Sequence, residues 1–136
     1  VYMKRSILVL AVLLLVASSC FAEPKFDISL PLPGETIAEP LLQRDLLIPV
    51  VATAAQYNKK CQSYSVSNTK LVALKVDEKH VKKGRYLNGA WVEVWTVDRC
   101  NTQVLVPIKF TLDGKGGTYY AISMPDVKTV KKTNVK

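Results

Sequence analysis

Hydrophobic and polar residues alternate most regularly in two consecutive stretches of the chain, residues 89–99 and 102–112. Neighbouring side chains of a β-strand point to opposite faces of a sheet, so a period of two predicts a half-buried strand. One face of the first strand carries Trp91, Glu93, Trp95, Val97 and Arg99. One face of the second strand carries Val104, Val106, Ile108, Phe110 and Leu112. A tight turn at Asn101 predicts that the two strands form an antiparallel hairpin.

Shorter stretches on either side of this hairpin also have strand character. Residues 118–124 follow a glycine-rich turn and predict a third strand. Residues 62–67 and 70–76 predict two short strands, joined by a turn at Asn68 and Thr69. The residues between them and the hairpin are polar and basic, which predicts an exposed loop over 77–88.

Residues 46–60 have the period of a helix. Apolar or aromatic side chains recur at helical spacing, at Leu47, Val50, Val51, Ala54 and Tyr57. Asp45 is the expected N-cap, and Pro49 falls in the first turn, where a missing N–H is tolerated. The alternative is a strand over residues 46–53, because β-branched residues favour extended backbone. A three-stranded sheet alone is marginal in water, so the helix is expected to cover its apolar face.

These elements predict a single domain of the α+β class, with one N-terminal helix packed on a small antiparallel sheet, a meander of three to five strands. The domain is expected over residues 45–124. The proline-rich residues 23–44 are expected to be extended, and alternation from Phe26 to Leu32 allows an edge strand there. Residues 125–136 are expected to form a basic C-terminal tail.

Residues 1–22 have the pattern of an export signal, with Lys4 and Arg5 ahead of an apolar run. A membrane-spanning helix needs about 20 apolar residues, so this run is short for an uncut anchor, which is the less favoured alternative. Cleavage after Ala22 would release a periplasmic or secreted protein. Cleavage before Cys20, where the sequence resembles a bacterial lipobox, would lipidate that cysteine and give a membrane-anchored lipoprotein.

Cys61 and Cys100 are the two cysteines beyond the signal. Export exposes thiols to oxidation, which favours a disulfide bond over free or metal-binding thiols. The bridge would close a loop of about 40 residues, worth about 3 to 4 kcal/mol in the chain-entropy model.

The chain is basic, with a formal net charge of +8. Lys4 and Arg5 are the charged residues of the signal, so residues 23–136 carry a net charge of about +6. The lysines are scattered, which is typical of a solvated surface. A nucleic-acid site would interleave basic residues with exposed aromatic ones on one face, so no specific nucleic-acid partner is expected.

Glu93 lies between Trp91 and Trp95, an arrangement that could form an aromatic groove for a sugar or a cationic group. The alternative is that both tryptophans cover the sheet while Glu93 pairs across strands with Lys109 or Arg99.

His80 is the single histidine and lies in a lysine-rich stretch. A general base needs an orienting partner and a pocket, so catalysis there would have to recruit Asp77 or Ser65. No metal site and no cofactor are expected, and the protein is expected not to be an enzyme.

The strand over residues 91–100, the apolar strand after it and the glycine-rich turn that begins at Asp113 resemble a family of small uncharacterised exported proteins of Gram-negative bacteria. In that family a Trp-x-Val-x-x-Cys strand is usually followed by Gly. Asn101 holds that place here, and Asn is the usual substitute for Gly at positive φ. The resemblance implies a periplasmic or cell-envelope setting and supplies no active-site residues.

Three functions are compatible with these features. The favoured one is a non-enzymatic envelope module that binds a partner protein or polymer through the Trp91 and Trp95 face and an exposed sheet edge. The second is a binder of a small ligand or glycan that uses the same tryptophans with Glu93. The third is a hydrolase built on His80.

Overall fold

The structure is a computed structural model and describes residues 29–57 and 59–129. The export signal, Cys20 and the first half of the alternation that begins at Phe26 lie outside these residues. Within these described ranges one helix, α1 (Pro40–Ala55), is followed by seven strands. The strands are β1 (Ser65–Val76), β2 (Val81–Lys82), β3 (Arg85–Tyr86), β4 (Gly89–Arg99), β5 (Thr102–Leu112), β6 (Thr118–Ile122) and β7 (Asp126–Thr129).

The main sheet is antiparallel and has five strands. Its order is β1-β4-β5, and both β6 and β7 pair with the outer side of β5. The bounds of β4 and β5 are those that the alternation predicts. β6 and β7 follow each other along β5, because Ile122 pairs with Ile108 and Asp126 with Leu105. Residues 126–129, expected in the C-terminal tail, therefore belong to the sheet.

β1 is one strand of twelve residues where two short strands and a turn are expected. It pairs with β4 from Ser65 opposite Asp98 to Val76 opposite Gly89, so Asn68 and Thr69 lie inside the strand. Bulges interrupt the register twice, between Val66 and Asn68 and again between Leu71 and Ala73. A bulge shifts side chains to the other face of the sheet, and it thereby breaks the alternation that a sequence pattern depends on.

The loop expected over residues 77–88 contains a second, two-stranded sheet formed by β2 and β3. With this hairpin the described residues form seven strands, more than the three to five that the pattern predicts. Lys83 and Gly84 connect β2 to β3, and both have positive φ, of 52° and 74°. Two such residues form the type I′ turn that joins antiparallel strands most tightly.

Helix α1 begins earlier than expected and excludes the strand alternative for residues 46–53. Glu39 is the N-cap, Pro40 occupies the first turn and Pro49 lies in the helix interior. Pro40 has the fixed φ and the missing N–H that suit a first helical residue. Asp45, the expected N-cap, instead lies within the helix, and its side chain is exposed to solvent.

The core lies between α1 and one face of the sheet, as predicted for an α+β domain. The helix contributes Leu46, Leu47, Val50, Val51 and Ala54. The alternating faces contribute Trp91, Trp95 and Val97 from β4 and Val104, Val106, Ile108 and Phe110 from β5. The assignment of faces on both long strands is thus confirmed. Leu32 and Ala38, which precede α1, and Tyr64, which follows it, complete the core.

Cys61 and Cys100 form a disulfide bond, with 2.12 Å between the sulfur atoms and a sequence separation of 39. The bond joins the segment after α1 to the turn between β4 and β5. It therefore ties the C-terminal end of the helix to the central hairpin of the sheet, and the predicted pairing is confirmed.

Replacing both cysteines, Cys61→Ala/Cys100→Ala, is expected to lower the free energy of unfolding by about 4 kcal/mol, because a loop of this length is then unconstrained in the unfolded chain. Urea denaturation followed by tryptophan fluorescence measures the loss. Reduced wild-type protein serves as the control and should lose a similar amount. A loss below about 1 kcal/mol in both samples would show that the bond does not constrain the unfolded chain in this way.

Candidate functional site

The carboxylate of Glu93 is fully buried and accepts four hydrogen bonds. Its Oε1 accepts from the indole Nε1 of Trp91 (2.9 Å) and from the backbone N–H of Ile37 (2.9 Å). Its Oε2 accepts from the indole Nε1 of Trp95 (2.7 Å) and from the hydroxyl of Thr36 (2.8 Å). The spacing of two residues along β4 brings both indoles to the same face as the acid. Every lone-pair direction of the carboxylate that a donor can use is thereby occupied.

This arrangement places the three predicted binding residues in the interior. Glu93 and Trp95 are 0 % exposed and Trp91 is 6 % exposed. Trp91 stacks on Phe110, with ring centroids 4.7 Å apart. Of the three, Trp91 also lines a recess that opens to the surface. The cross-strand ion pair expected for Glu93 is not formed, because Lys109 points to the opposite, exposed face.

Arg99 is the second buried charge on this face of β4. Its guanidinium donates to the backbone oxygen of Ala54, near the C-terminal end of α1, and to the hydroxyl of Tyr64 (3.2 Å). The guanidinium also lies over the Tyr64 ring, 4.8 Å from the centroid. A cation at this end of a helix is stabilised by the exposed carbonyl groups. Arg99, one of the two partners expected for Glu93, thus binds the C-terminal end of α1 instead.

The residues before α1 are fixed by side-chain hydrogen bonds that the sequence pattern does not predict. Gln43 accepts from the N–H of Leu32 (2.8 Å) and donates to the carbonyl of Ala38 (2.6 Å). Together with the hydrogen bonds from Thr36 and Ile37 to Glu93, these contacts fix the position of Glu39 at the start of α1. The position of a polar residue, Gln43, on the buried face of the helix is the one sequence signal that could have indicated hydrogen bonds to this segment.

A surface recess of about 510 Å³, called here the hairpin groove, lies between the start of α1, the β2–β3 hairpin and the ends of the long strands. Most of its lining is apolar. The apolar side chains include Ile37, Leu41, Leu42, Leu74, Tyr86 and Trp91. Several of these are unusually open for large hydrophobic residues, with Leu41 60 % and Leu74 50 % exposed.

An ion pair bridges the hairpin groove. The Arg85 Nε lies 2.6 Å from the Glu39 Oε1, and both side chains are about half exposed. Glu39 caps the start of α1 and Arg85 belongs to β3, so the pair links the helix to the hairpin. Asp45 lies at the rim of the same groove. Exposed ion pairs contribute little to stability, so this contact positions the hairpin more than it stabilises the fold.

A second recess of about 430 Å³, called here the basic recess, adjoins the hairpin groove. Lys82, Lys83, Arg85 and Lys115 line it, together with Leu87 and Gly116. Arg85 and Gly116 line both recesses. The lysines of the hairpin and of the 113–117 turn meet because the N–H of Gly114 donates to the carbonyl of Leu87 (2.9 Å). The sequence shows these lysines as scattered, and only the fold brings them together.

The turn that carries Lys115 is organised by Asp113. Its Oδ1 accepts from the backbone N–H groups of Lys115 (2.7 Å) and Gly117 (2.8 Å). These hydrogen bonds stabilise the charged form and lower the pKa of the Asp113 carboxyl below its ordinary value of 3.8.

His80 and Asp77 meet on the surface, with 2.6 Å between Nδ1 and Oδ2. The hydrogen bond from His80 lowers the pKa of the Asp77 carboxyl. The other predicted partner of His80, Ser65, begins β1 and lies at its opposite end, paired with Asp98. The structure therefore brings together the acid and the base of the predicted hydrolase and separates them from its predicted serine.

Comparisons of the chain with protein families, with curated proteins and with solved structures find no match. Within residues 29–57 and 59–129, no three His, Cys, Asp or Glu side chains are grouped so that they could hold a metal ion. The same residues contain no helix of the length and apolarity needed to cross a membrane.

The substitution Glu93→Gln is expected to lower the free energy of unfolding by about 3 kcal/mol, because the new NH₂ group faces two donors that then lack an acceptor. Chemical denaturation measures the change. Glu78→Gln is the control, since Glu78 is exposed, and it should change stability by less than about 0.5 kcal/mol. Equal effects of the two substitutions would contradict the role assigned to the four bonds.

Asp113 and Asp77 are expected to titrate below 3.8 in the folded protein. Because their pKa values are lowered on folding, their contribution to stability is complete above 3.8 and is lost as the pH falls through the lower native values. NMR titration of the side-chain carboxyl carbons measures both. His80→Asn should raise the pKa of Asp77 and leave that of Asp113 unchanged. A titration of Asp113 that shifts along with Asp77 would contradict the separate causes.

Proposed function

We propose that the protein acts by binding, and that the hairpin groove takes up an apolar ligand. The observation that carries this proposal is the exposure of large apolar side chains around one concave space. Leu41 comes from α1, Leu74 from β1 and Tyr86 from β3, and all three line the groove. A volume of about 510 Å³ lies in the range of small-molecule sites, about 300 to 1,000 Å³.

The energetics favour occupation of this space. Large apolar side chains are normally covered by the fold, and burial of their surface is worth about 25 cal/mol per Å². Here side chains from three elements remain exposed to solvent in a recess that Trp91 also lines. A ligand that covers them gains the burial that the fold leaves unused. The predicted ligand-binding role is thus kept for Trp91 and extended to Leu41, Leu74 and Tyr86.

Glu93 and Trp95 contribute to such a site indirectly. Their hydrogen bonds fix Ile37 and, through the preceding segment, the start of α1. Ile37 lines the groove. The acid therefore shapes one wall of the groove and leaves contact with the ligand to the apolar residues.

Export to the cell envelope and attachment of a partner protein stay predictions. Sheet-edge binding finds support in β6, an outer strand among the described residues on which Tyr119 is 68 % exposed. On the other side of the sheet, residues before α1 occupy part of the edge of β1, since the N–H of Glu35 donates to the carbonyl of Thr69 (2.8 Å). A partner strand would therefore add at β6 more easily than at β1.

A titration with Nile red, a neutral dye whose fluorescence rises in apolar surroundings, tests the groove. The double substitution Leu41→Gln/Leu74→Gln is expected to weaken binding roughly tenfold or more, because two apolar contacts are lost. Its matched control is Ile48→Gln/Val72→Gln, which changes one exposed apolar residue of α1 and one of β1 outside the groove lining. The control should bind as the wild type does.

Two results would overturn the proposal. One is the absence of saturable binding of the dye to the wild-type protein. The other is an equal loss of binding in the two double variants. Thermal denaturation of each variant confirms that the fold is kept, as expected for substitutions at residues that are half exposed.

A further inference from the structure

We propose that the ligand of the hairpin groove is a single-chain amphiphile with an anionic head group, a phosphate, sulfate or carboxylate. Its apolar chain lies in the hairpin groove and its head group in the basic recess. This inference rests on the proposed function of the groove and adds the chemical class of the ligand.

The two recesses are neighbours with a common wall. Arg85 and Gly116 line both, so a molecule that leaves the groove past Arg85 enters the basic recess directly. One side of the boundary is apolar, with Leu74, Tyr86 and Trp91, and the other side carries lysines. Adjacent apolar and charged spaces match a ligand that has an apolar body and a charged end.

The charge of the basic recess determines the sign of that end. Lys82, Lys83 and Lys115 line it with Arg85, and no acidic residue is among the lining residues that the structure describes. Like charges that share one recess repel one another, and an anion placed among them relieves the repulsion. Charged hydrogen bonds from lysine and arginine to phosphate or carboxylate oxygens are among the strongest that proteins form.

Two acidic groups beside the recess, Glu39 and Asp113, are engaged in other contacts. Glu39 lines the groove and is paired with Arg85 at 2.6 Å. Asp113 accepts hydrogen bonds from the backbone of its own turn, from the N–H groups of Lys115 and Gly117. The three lysines line the recess with Arg85, so its cations outnumber these two carboxylates. The head group would therefore meet a net positive site.

Backbone hydrogen bonds hold the two sides of the recess together. The N–H of Leu87 donates to the carbonyl of His80 (3.2 Å) and closes the base of the hairpin. The N–H of Gly114 donates to the carbonyl of Leu87 (2.9 Å) and attaches the 113–117 turn to that hairpin. The turn residue Lys83 has a φ of 52°, where Asn or Gly is usual. A site of fixed shape loses less entropy on binding than two independent loops would.

The same geometry argues against an extended polyanion. Nucleic-acid grooves combine a basic track with aromatic side chains on which bases stack. Here the cations meet at one recess and form no track, although the space that continues from it is lined by aromatic side chains, Tyr86 and Trp91, as well as aliphatic ones such as Leu41. An acyl or alkyl chain fits that continuation, whereas a phosphodiester backbone would meet no cation beyond Arg85 among the described lining residues of the groove.

Isothermal titration calorimetry with dodecyl phosphate and with the uncharged dodecyl maltoside, both below their critical micelle concentrations, tests the proposal. Wild-type protein is expected to bind dodecyl phosphate at least about tenfold more tightly. The triple substitution Lys82→Gln/Lys83→Gln/Lys115→Gln should abolish this preference. The matched control, Lys70→Gln/Lys109→Gln/Lys128→Gln, removes the same charge from the opposite face of the sheet and should retain it.

Four outcomes would overturn the inference. They are equal affinity for the two detergents, an equal loss of preference in both triple variants, competition by inorganic phosphate as strong as that by dodecyl phosphate, and binding to vesicles of phosphatidylcholine and phosphatidylglycerol without binding to the monomeric detergent. Failure of the groove itself gives a different result, because Nile red and dodecyl maltoside would then both fail to bind.

Discussion

Four hydrogen-bond donors from two distant parts of the chain meet on the carboxylate of Glu93, which has no contact with solvent. A buried acid without such donors would be strongly destabilising. The segment that contains Thr36 and Ile37 therefore has one position in which it supplies the hydrogen-bond donors that the buried Glu93 carboxylate needs. That position in turn fixes Glu39 at the start of α1, and Glu39 reaches Arg85 of the hairpin.

The two ends of the helix are held by one face of one strand. Glu93 binds the chain just before α1, and six residues further along β4 Arg99 binds the carbonyl of Ala54 near its end. Apolar residues such as Leu46 and Val50 fill the space between these polar anchors. Hydrophobic packing alone is tolerant of small shifts and rotations, but two buried polar groups at opposite ends are not. The combination specifies both the direction and the position of the helix.

The parts of the fold that follow from local pattern could be predicted, and the parts that depend on distant contacts could not. β4 and β5 have long, uninterrupted alternation, so their bounds and the residues that share each face follow from the sequence. The burial of the Trp91 and Trp95 face does not, because the favoured hypothesis used it as a binding surface. Bulges interrupt the alternation of β1, which is why it resembles two strands. The strands of the β2–β3 hairpin have two residues each, too few to show a period.

The candidate site was less accessible to prediction for a similar reason. Trp91, Glu93 and Trp95 stand out in the sequence, yet their polar atoms satisfy one another and the residues at 36 and 37. The hairpin groove instead combines apolar residues from separate elements, none of them unusual by itself. The basic recess likewise depends on the attachment of the 113–117 turn to Leu87. Sequence spacing does not record such long-range neighbours.

The hairpin groove has walls from the beginning and from the end of the described chain, since Ile37 and Thr118 both line it. Contacts between segments so far apart require the closure of a long loop, so they depend on the rest of the fold to offset its entropic cost. The groove therefore comes into existence only when the domain is complete. Any molecule that occupies it binds the native state and not its partly folded precursors, and so displaces the folding equilibrium toward the finished protein.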